Sequence, residues 1–268
     1  MVLGSSQMEN SAINEISIEK VKGSIREQCI DSIAKENPIT IFLNDIEVVT
    51  LLCSPIQIKE LAIGYLFSEG LLTDKSDILK ITLDEAKGIV WVTSKFTDSC
   101  IVDMSKKRLL TTGCGRGFSF YNPLDALQLE KVTSESNILF KDVISLMKEF
   151  HSKPYIYKTT GATHCAGLCM NTSFLVFAED IGRHNAVDKI IGYSIINNIL
   201  MEHKILTTTG RISSDIILKA GRCKIPIVIS RSAPTSFAIM LAEKLNITLV
   251  GFARGERFNI YSNSFRIL

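Results

Sequence analysis

The sequence predicts an α/β protein with a mostly parallel sheet that is covered on both faces. In the second half of the chain, apolar strand-like runs alternate with segments of helical period, and short connections join them. Residues 173–178 are also continuously apolar, as expected of a strand buried on both faces. The first half contains shorter strand-like runs around one helix, which predicts a smaller, strand-rich N-terminal region.

In the first half, Asn44-Asp45 separates two strand-like runs and predicts a hairpin. Ser54-Pro55 predicts a helix start, with serine as the cap and proline in the first turn. Gly70 suits the end of that helix. The predicted strands of this region span residues 39–43, 47–52, 78–82, 89–93 and 100–104.

The second half predicts four helices, of which residues 185–200 carry the clearest helical spacing of apolar side chains. The other helices are expected at 137–150, 213–221 and 234–245, and the strands near Tyr155 and at 173–178, 205–209, 225–230 and 247–252. We therefore divide the chain into a tail (1–13), a strand-rich region that carries Cys114 (14–135) and an α/β cofactor-binding domain (136–268).

Composition excludes several classes of function. The 268 residues include 30 basic and 28 acidic side chains, a net charge of +2 that gives no bulk attraction to nucleic acid or membrane. No apolar run reaches the roughly 18 residues of a membrane span, and no secretory signal is apparent. The seven cysteines are scattered and odd in number, unlike a disulfide framework. We expect a cytoplasmic protein with reduced thiols.

Cys114 lies in a glycine-rich loop, Thr-Thr-Gly-Cys-Gly-Arg-Gly, at residues 111–117. Glycines leave the sulfur uncrowded, and the nearby cation of Arg116 favours the thiolate. An accessible thiolate can attack the sulfur of a persulfide donor. The alternative is a cysteine that merely occupies a turn. Zinc is disfavoured, because no cysteine or histidine lies two to four residues away.

Arginines recur in the loops that follow the predicted strands. At residues 179–185 a strand-to-helix junction offers free backbone N–H groups and an arginine side chain to an anion. Because ligands bind at the carboxyl ends of parallel strands, these arginines predict a polyanionic ligand such as a nucleotide. Simple helix caps and solvated turns are the alternative. The arginines are Arg183, Arg211, Arg231, Arg254 and Arg257.

Two further groups of residues could carry chemistry. His184 and Asp188 stand four residues apart on one predicted helix, so they could pair as an acid–base couple. His164, Cys165 and Cys169 could bind a metal, but a buried stretch of small residues beside the sheet is the preferred interpretation. We therefore expect no protein-ligated metal. Neither the Walker pattern nor G-x-G-x-x-G is present.

Six stretches together resemble the FdhD family, the formate dehydrogenase accessory sulfurtransferases. They occur in order over about residues 40 to 262, so the resemblance is specific and nearly full-length. The stretches are TTGCG (111–115), GATH (161–164), EDIGRHNAVDKIIG (179–192), GRISSDIILKA (210–220), SAPTS (232–236) and LVGFARGERFNIY (249–261).

The resemblance implies a sulfur carrier. Such proteins accept sulfur from a cysteine desulfurase as a persulfide, here on Cys114. They pass it to the bis(molybdopterin guanine dinucleotide) molybdenum cofactor of a formate dehydrogenase apoenzyme. The family's core resembles the three-layer fold of cytidine deaminases without their zinc, and its members are homodimers. The cofactor-contacting stretch of the family falls on Phe252, Ala253, Arg254, Gly255, Glu256 and Arg257. From their positions in the loops that follow the predicted strands, we also expect cofactor contacts from Arg183, His184, Arg211 and Arg231.

The chain departs from the family pattern at the cysteine loop. Many members have C-x-x-C there, whereas Gly115-Arg116-Gly117 follows Cys114 in this sequence. Either one cysteine suffices for transfer, or another cysteine, such as Cys165, assists. A third reading is a non-catalytic chaperone that binds the cofactor without carrying sulfur. An unrelated nucleotide-dependent enzyme would need the His184–Asp188 pair.

Overall fold

The computed structural model describes residues 10–96 and 129–268, with the backbone of two short strands between them. Cys114, Arg116 and the strand predicted at 100–104 lie outside the described residues. The helices are α1 (Ile58–Ser68), α2 (Phe140–Ser152), α3 (Ile156–Thr160), α4 (Arg183–Ile196), α5 (Ser214–Arg222) and α6 (Ser236–Lys244). The strands are β1 (Ile13–Lys22), β2 (Ile25–Ala34), β3 (Asn37–Leu43), β4 (Ile46–Cys53), β5 (Ile78–Asp84), β6 (Ile89–Ser94), β7 (Leu109–Leu110), β8 (Phe118–Ser119), β9 (His164–Met170), β10 (Ser173–Asp180), β11 (Ile205–Thr208), β12 (Ile227–Ser230), β13 (Thr248–Arg254) and β14 (Arg257–Ser262).

The N-terminal region contains a four-stranded sheet in the order β4-β3-β6-β5. The hairpin predicted at Asn44 is confirmed, with that residue in the left-handed conformation that tight turns require. The helix start predicted at Ser54 is wrong, because α1 begins only at Ile58. Ser54 is buried instead, and its hydroxyl accepts a hydrogen bond from the Ile181 N–H at 3.2 Å. A residue read as a cap therefore joins the two halves of the chain.

The main sheet has six strands in the order β10-β9-β11-β12-β13-β14. Only the β11–β12 and β12–β13 pairs are parallel, so the expectation of a mostly parallel sheet is wrong. Antiparallel partners flank this parallel centre because β9 and β10 form a hairpin and β14 folds back onto β13. The resemblance to cytidine deaminases stays a prediction.

Periodicity predicted α2, α4, α5 and α6 to within a few residues, but other segments were misread or missed. Residues after Tyr155 form the short helix α3 rather than a strand. The first strands, β1 and β2, were not predicted and form a two-stranded sheet of their own. Among the described residues, no helix is long and apolar enough to cross a membrane.

Apolar side chains pack on both faces of the main sheet. On one face, residues of α1, α4, α5 and α6 share a single core cluster with the four-stranded sheet. This cluster therefore contains residues from both sides of the boundary predicted at 135. On the other face, α2 packs through Leu146 and Phe150 against Cys165, Cys169 and neighbouring strand residues.

Helices α1 and α4 cross in direct backbone contact at two glycines. A Cβ atom at Gly64 would lie 1.8 Å from the Asp188 carbonyl oxygen, and one at Gly192 would lie 1.8 Å from that of Glu60. No side chain fits between the helices at this crossing. The contact therefore fixes α4 against the N-terminal region.

We expect Gly64→Ala to destabilise the protein by roughly 1–3 kcal/mol or more, because the added methyl group forces the helices apart. Helix propensity alone would favour alanine over glycine by about 1 kcal/mol, so steric overlap must account for any loss. Thermal unfolding measures the effect. Lys59→Ala, at an exposed position of the same helix, is the control. An unchanged melting temperature for Gly64→Ala would contradict this packing.

Candidate functional site

A fully buried ion pair fixes the junction between β10 and α4. The Lys189 Nζ lies 2.6 Å from the Asp180 Oδ2, and both side chains are inaccessible to solvent. Lys189 also donates hydrogen bonds to the carbonyl oxygens of Ser54 (3.2 Å) and Glu179 (3.1 Å). The Ser54 N–H donates to the same Asp180 oxygen at 3.1 Å. Each charge is matched by the other and by hydrogen bonds. The end of β4 is therefore held at the junction between β10 and α4.

The other oxygen of Asp180 shapes the turn into α4. The Asp180 Oδ1 accepts from the Gly182 N–H at 2.8 Å and from the Asn185 Nδ2 at 2.9 Å. Asn185 Nδ2 also donates to the Leu52 carbonyl oxygen at 2.9 Å. At the junction between β10 and α4, where an anion was predicted to bind, the Asp180 carboxylate therefore accepts these hydrogen bonds instead.

Glu179, the preceding residue, holds α3 in place. Its carboxylate accepts hydrogen bonds from the N–H groups of Tyr155 (2.8 Å), Ile156 (3.0 Å) and Tyr157 (2.9 Å). It also accepts from the Thr163 hydroxyl at 3.0 Å. The carboxylate therefore satisfies the free donors at the start of α3 and fixes the segment that follows it.

That segment forms one wall of an open cavity of about 390 Å³. The opposite wall comes from residues at or just beyond the carboxyl ends of β11, β12 and β13, where ligands bind in sheets of this kind. Two guanidinium groups, several hydroxyl groups and an aromatic ring face the same space. The lining residues are Tyr157, Gly161, Ala162, Thr163, His164, Thr209, Arg231, Ser232 and Arg254.

Among the predicted site residues, the structure brings Arg231 and Arg254 together in this cavity. The Arg254 guanidinium also lies 5.9 Å from the centre of the Phe252 ring. Gly255 is in the left-handed conformation at the turn after β13. Ala253 is buried in the core, while Glu256, Arg257 and Arg211 are exposed and outside the cavity lining.

Arg183 and His184 lie outside the lining as well. Arg183 is buried, and its side chain packs so closely on Gly210 that a Cβ there would lie 2.8 Å from the Arg183 Cβ. The His184 Nε2 lies 3.3 Å from the Ser213 Oγ and 3.8 Å from the Asp215 Oδ2. These two residues therefore support the cavity from behind and do not line it.

The predicted His184–Asp188 pair is wrong. Asp188 is buried, and its Oδ1 bonds Lys219 at 2.5 Å and the Ser68 hydroxyl at 2.7 Å. Lys219 of α5 therefore neutralises the Asp188 carboxylate, which was predicted to pair with His184. The acid–base couple needed by an unrelated nucleotide-dependent enzyme is absent from this part of the described structure.

His164 is a lining residue that the sequence reasoning set aside. Its Nδ1 lies 3.3 Å from the Thr209 Oγ1, which also accepts from the Cys165 N–H at 3.0 Å. Burial and the nearby Arg183 lower the pKa of His164, so its imidazole is neutral at pH 7. The signal in the sequence was the GATH stretch (161–164), and the structure places its last residue at the start of β9.

Cys165 and Cys169 are buried on the same side of β9 and belong to the core. Burial, followed by the Glu179 carboxylate, raises the pKa of the Cys165 thiol far above its usual range. Burial also raises the pKa of Cys169. Buried thiols of this kind are poor nucleophiles, which disfavours Cys165 as an assisting cysteine. Within the described ranges, no three His, Cys, Asp or Glu side chains converge as a metal site.

Comparison with known proteins identifies the family. The FdhD/NarQ family model matches residues 34–268. The chain belongs to the FdhD/NarQ family. The sulfur carrier protein FdhD of Bacillus pumilus is 42% identical over 241 residues, covering 88% of this chain and 90% of that protein. The FdhD protein of Bacillus subtilis is 39% identical over 237 residues, with the same coverage of both chains.

A solved structure shares the fold. The crystal structure of a protein assigned as a formate dehydrogenase accessory protein from Desulfotalea psychrophila superposes with a TM-score of 0.77 at 28% identity. The match covers 96% of this chain and 100% of that chain. The FdhD resemblance inferred from the six stretches is therefore confirmed.

Neutral histidines give this FdhD/NarQ member a testable pH dependence. Burial, Lys219 and Arg183 lower the pKa of His184 to about 3. Below its ordinary pKa of about 6.5, the unfolded chain binds a proton that the folded chain does not. The contribution of His184 to stability therefore falls as the pH drops from about 7 towards 4.

Between pH 7 and pH 5, we expect the melting temperature of His184→Gln to fall less than that of the wild-type protein. Thermal unfolding across this pH range measures it, with His203→Gln as a control for the loss of an exposed imidazole. An identical pH dependence in His184→Gln and the unchanged chain would show that His184 is not held neutral by the fold.

Proposed function

We propose that this protein is a sulfur carrier for formate dehydrogenase that carries sulfur on Cys114 and binds a guanine dinucleotide molybdenum cofactor as its substrate. The observation that carries the proposal is the cavity in which Arg231 and Arg254 converge with hydroxyl groups and an aromatic ring. Family membership and the names of the relatives as sulfur carrier proteins support it.

Sulfur loading needs one nucleophilic cysteine. The Cys114 thiolate attacks the outer sulfur of a persulfide on a cysteine desulfurase. The sulfur–sulfur bond of the donor breaks, the donor cysteine leaves as a thiolate, and Cys114 becomes the persulfide. Arg116, two residues away in sequence, favours the attacking thiolate. No second thiol takes part in this transfer of sulfur to Cys114, so loading does not require the missing second cysteine of C-x-x-C.

The cavity supplies groups suited to a nucleotide. The guanidinium groups of Arg231 and Arg254 can each clamp phosphate oxygens with two hydrogen bonds. Tyr157 offers a ring face on which a base can stack. Phe252, Gly255, Glu256 and Arg257 belong to the same turn region as Arg254, so a dinucleotide larger than the cavity would extend over them.

Arg183, His184 and Arg211 take other roles in this proposal. Arg183 packs behind the wall and keeps His164 neutral, and His184 supports the start of α5. Arg211 is exposed and follows the lining residue Thr209 by two residues, so in this proposal it meets the cofactor only at the rim of the cavity. A cysteine desulfurase and a formate dehydrogenase apoenzyme are the proposed partners, and the carrier is proposed to be a homodimer.

A non-catalytic cofactor chaperone is the second candidate. It is favoured if transfer to the cofactor requires a second thiol, because C-x-x-C is incomplete at residues 114–117 and Cys165 is buried with a raised pKa. The two candidates differ in whether Cys114 gains sulfur.

Intact-protein mass spectrometry after incubation with a cysteine desulfurase and cysteine separates them. We expect a gain of one sulfur (~32 Da), because a thiolate becomes a persulfide. Cys114→Ala should lose the gain, while Cys29→Ser should keep it. Absence of the gain in the unchanged chain would favour the chaperone, and a gain that survives in Cys114→Ala would place the sulfur elsewhere.

We expect Arg231→Ala and Arg254→Ala each to weaken the binding of GDP by about tenfold or more, because each removes a charge-assisted hydrogen bond worth roughly 1.5–3 kcal/mol. Isothermal titration calorimetry measures the affinity. Arg26→Ala, an exposed arginine of the β1–β2 hairpin, is the matched control. Equal GDP affinities in the wild-type protein and in all variants would show that this cavity does not bind the nucleotide.

A further inference from the structure

The proposed function leaves the imidazole of His164 without a role, although His164 lines the cavity together with Arg231 and Arg254. One ring nitrogen, Nδ1, is turned towards Thr209 and lies 3.3 Å from its Oγ1. The other, Nε2, has no hydrogen-bond partner within residues 10–96 and 129–268, and it is accessible to solvent. Because His164 is a lining residue, the open space that Nε2 faces is the cavity.

The hydrogen bonds of Thr209 determine which ring nitrogen carries the proton. The Cys165 N–H donates to the Thr209 Oγ1 at 3.0 Å, and the Thr209 N–H donates to the Cys165 carbonyl oxygen at 3.1 Å. The hydroxyl group is therefore fixed by the start of β9 and still has its own proton to donate. In the described part of the chain, the acceptor that this hydroxyl meets is the His164 Nδ1. A neutral ring that accepts at Nδ1 carries its proton on Nε2.

The charges around His164 keep its ring neutral. Burial is the largest cause of its lowered pKa, followed by the Arg183 cation, while the Asp180 carboxylate acts in the opposite direction. Arg231 and Arg254 add two more cations to the same cavity. Near pH 7 the ring therefore offers the cavity one uncharged N–H donor of fixed direction.

We propose that His164 is a ligand-contacting residue whose Nε2–H donates a hydrogen bond to a phosphate oxygen of the nucleotide bound by Arg231 and Arg254. This inference rests on the proposed function, because it requires a phosphate-bearing ligand in the cavity. A phosphate oxygen is the assigned acceptor because hydrogen bonds to an ionised acceptor are the stronger ones. Thr209 is then a positioning residue, since its hydroxyl fixes the orientation of the ring and the nitrogen that donates.

Two amide substitutions distinguish the ring nitrogens. The amide nitrogen of His164→Gln can take the position of Nε2, whereas the shorter side chain of His164→Asn reaches only that of Nδ1. At about pH 7.5 we expect His164→Asn to weaken the binding of GDP about tenfold or more, and His164→Gln by less than about threefold. Isothermal titration calorimetry measures both affinities, and His203→Gln, at an exposed position, is the control. Equal losses in the two His164 variants, or a loss in neither, overturn the assignment of Nε2 as the donor.

Inorganic diphosphate separates a phosphate contact from a contact to the ribose or the base. We expect His164→Asn to weaken the binding of diphosphate by the same factor as that of GDP. A loss for GDP alone overturns the assignment of the phosphate oxygen. If the wild-type protein binds diphosphate but not GDP, the proposed nucleotide ligand is wrong, and the diphosphate affinities still decide the role of His164. If it binds neither, both proposals are overturned.

The tautomer of His164 is measured without any ligand or any loss of affinity. Nitrogen-15 NMR of the four histidine rings, with His164→Gln used to assign the signals, reports which ring nitrogen is protonated. Near neutral pH we expect the proton on Nε2, and diphosphate should shift the Nε2 signal while the tautomer stays the same. Thr209→Ser retains the hydroxyl group and should retain both the tautomer and the GDP affinity. A proton on Nδ1 in the wild-type protein overturns the proposal.

Discussion

The buried ion pair between Asp180 and Lys189 is the contact on which the arrangement of this protein depends. A charge isolated in a protein interior is so costly that each partner must be matched by the other and by hydrogen bonds. Here the matching groups come from distant parts of the chain, since Ser54 contributes both its N–H and its carbonyl oxygen. The pair can be satisfied only when β4, β10 and α4 are in place together.

The two neighbouring carboxylates, Glu179 and Asp180, act on opposite faces of the sheet because successive residues of a strand point in opposite directions. Asp180 faces α4 and the core shared with α1. Glu179 faces α3 and the segment that lines the cavity. One strand end therefore holds the core on one face and the candidate site on the other. A shift of β10 by one residue would exchange these roles and leave both carboxylates without their partners.

The sequence predicted the features that depend on local period and loop composition. Four helices follow from apolar spacing, and the convergence of Arg231 and Arg254, two of the five predicted arginines, follows from where loops meet a sheet edge. Strand β9 was missed because its Cys, Ala and Gly residues pack against neighbours and lack the β-branched pattern of typical strands. Strand order and direction were also misjudged, because periodicity specifies which residues are buried and says nothing of which strand lies beside which.

Charge placement around the cavity shows why similar residue types have different roles. Arg231 and Arg254 carry charge at the lining, and arginine stays protonated over the whole physiological range. Arg183 is buried behind the wall, where its charge lowers the pKa of His164 and helps to lower that of His184. Histidine charge is thereby removed from the site near neutral pH. In the proposed function, the attraction of the phosphates to the cavity therefore rests on Arg231 and Arg254. A single loop arginine read from sequence cannot be assigned to either role, because only the packing on Gly210 distinguishes a buried guanidinium from one that faces the ligand.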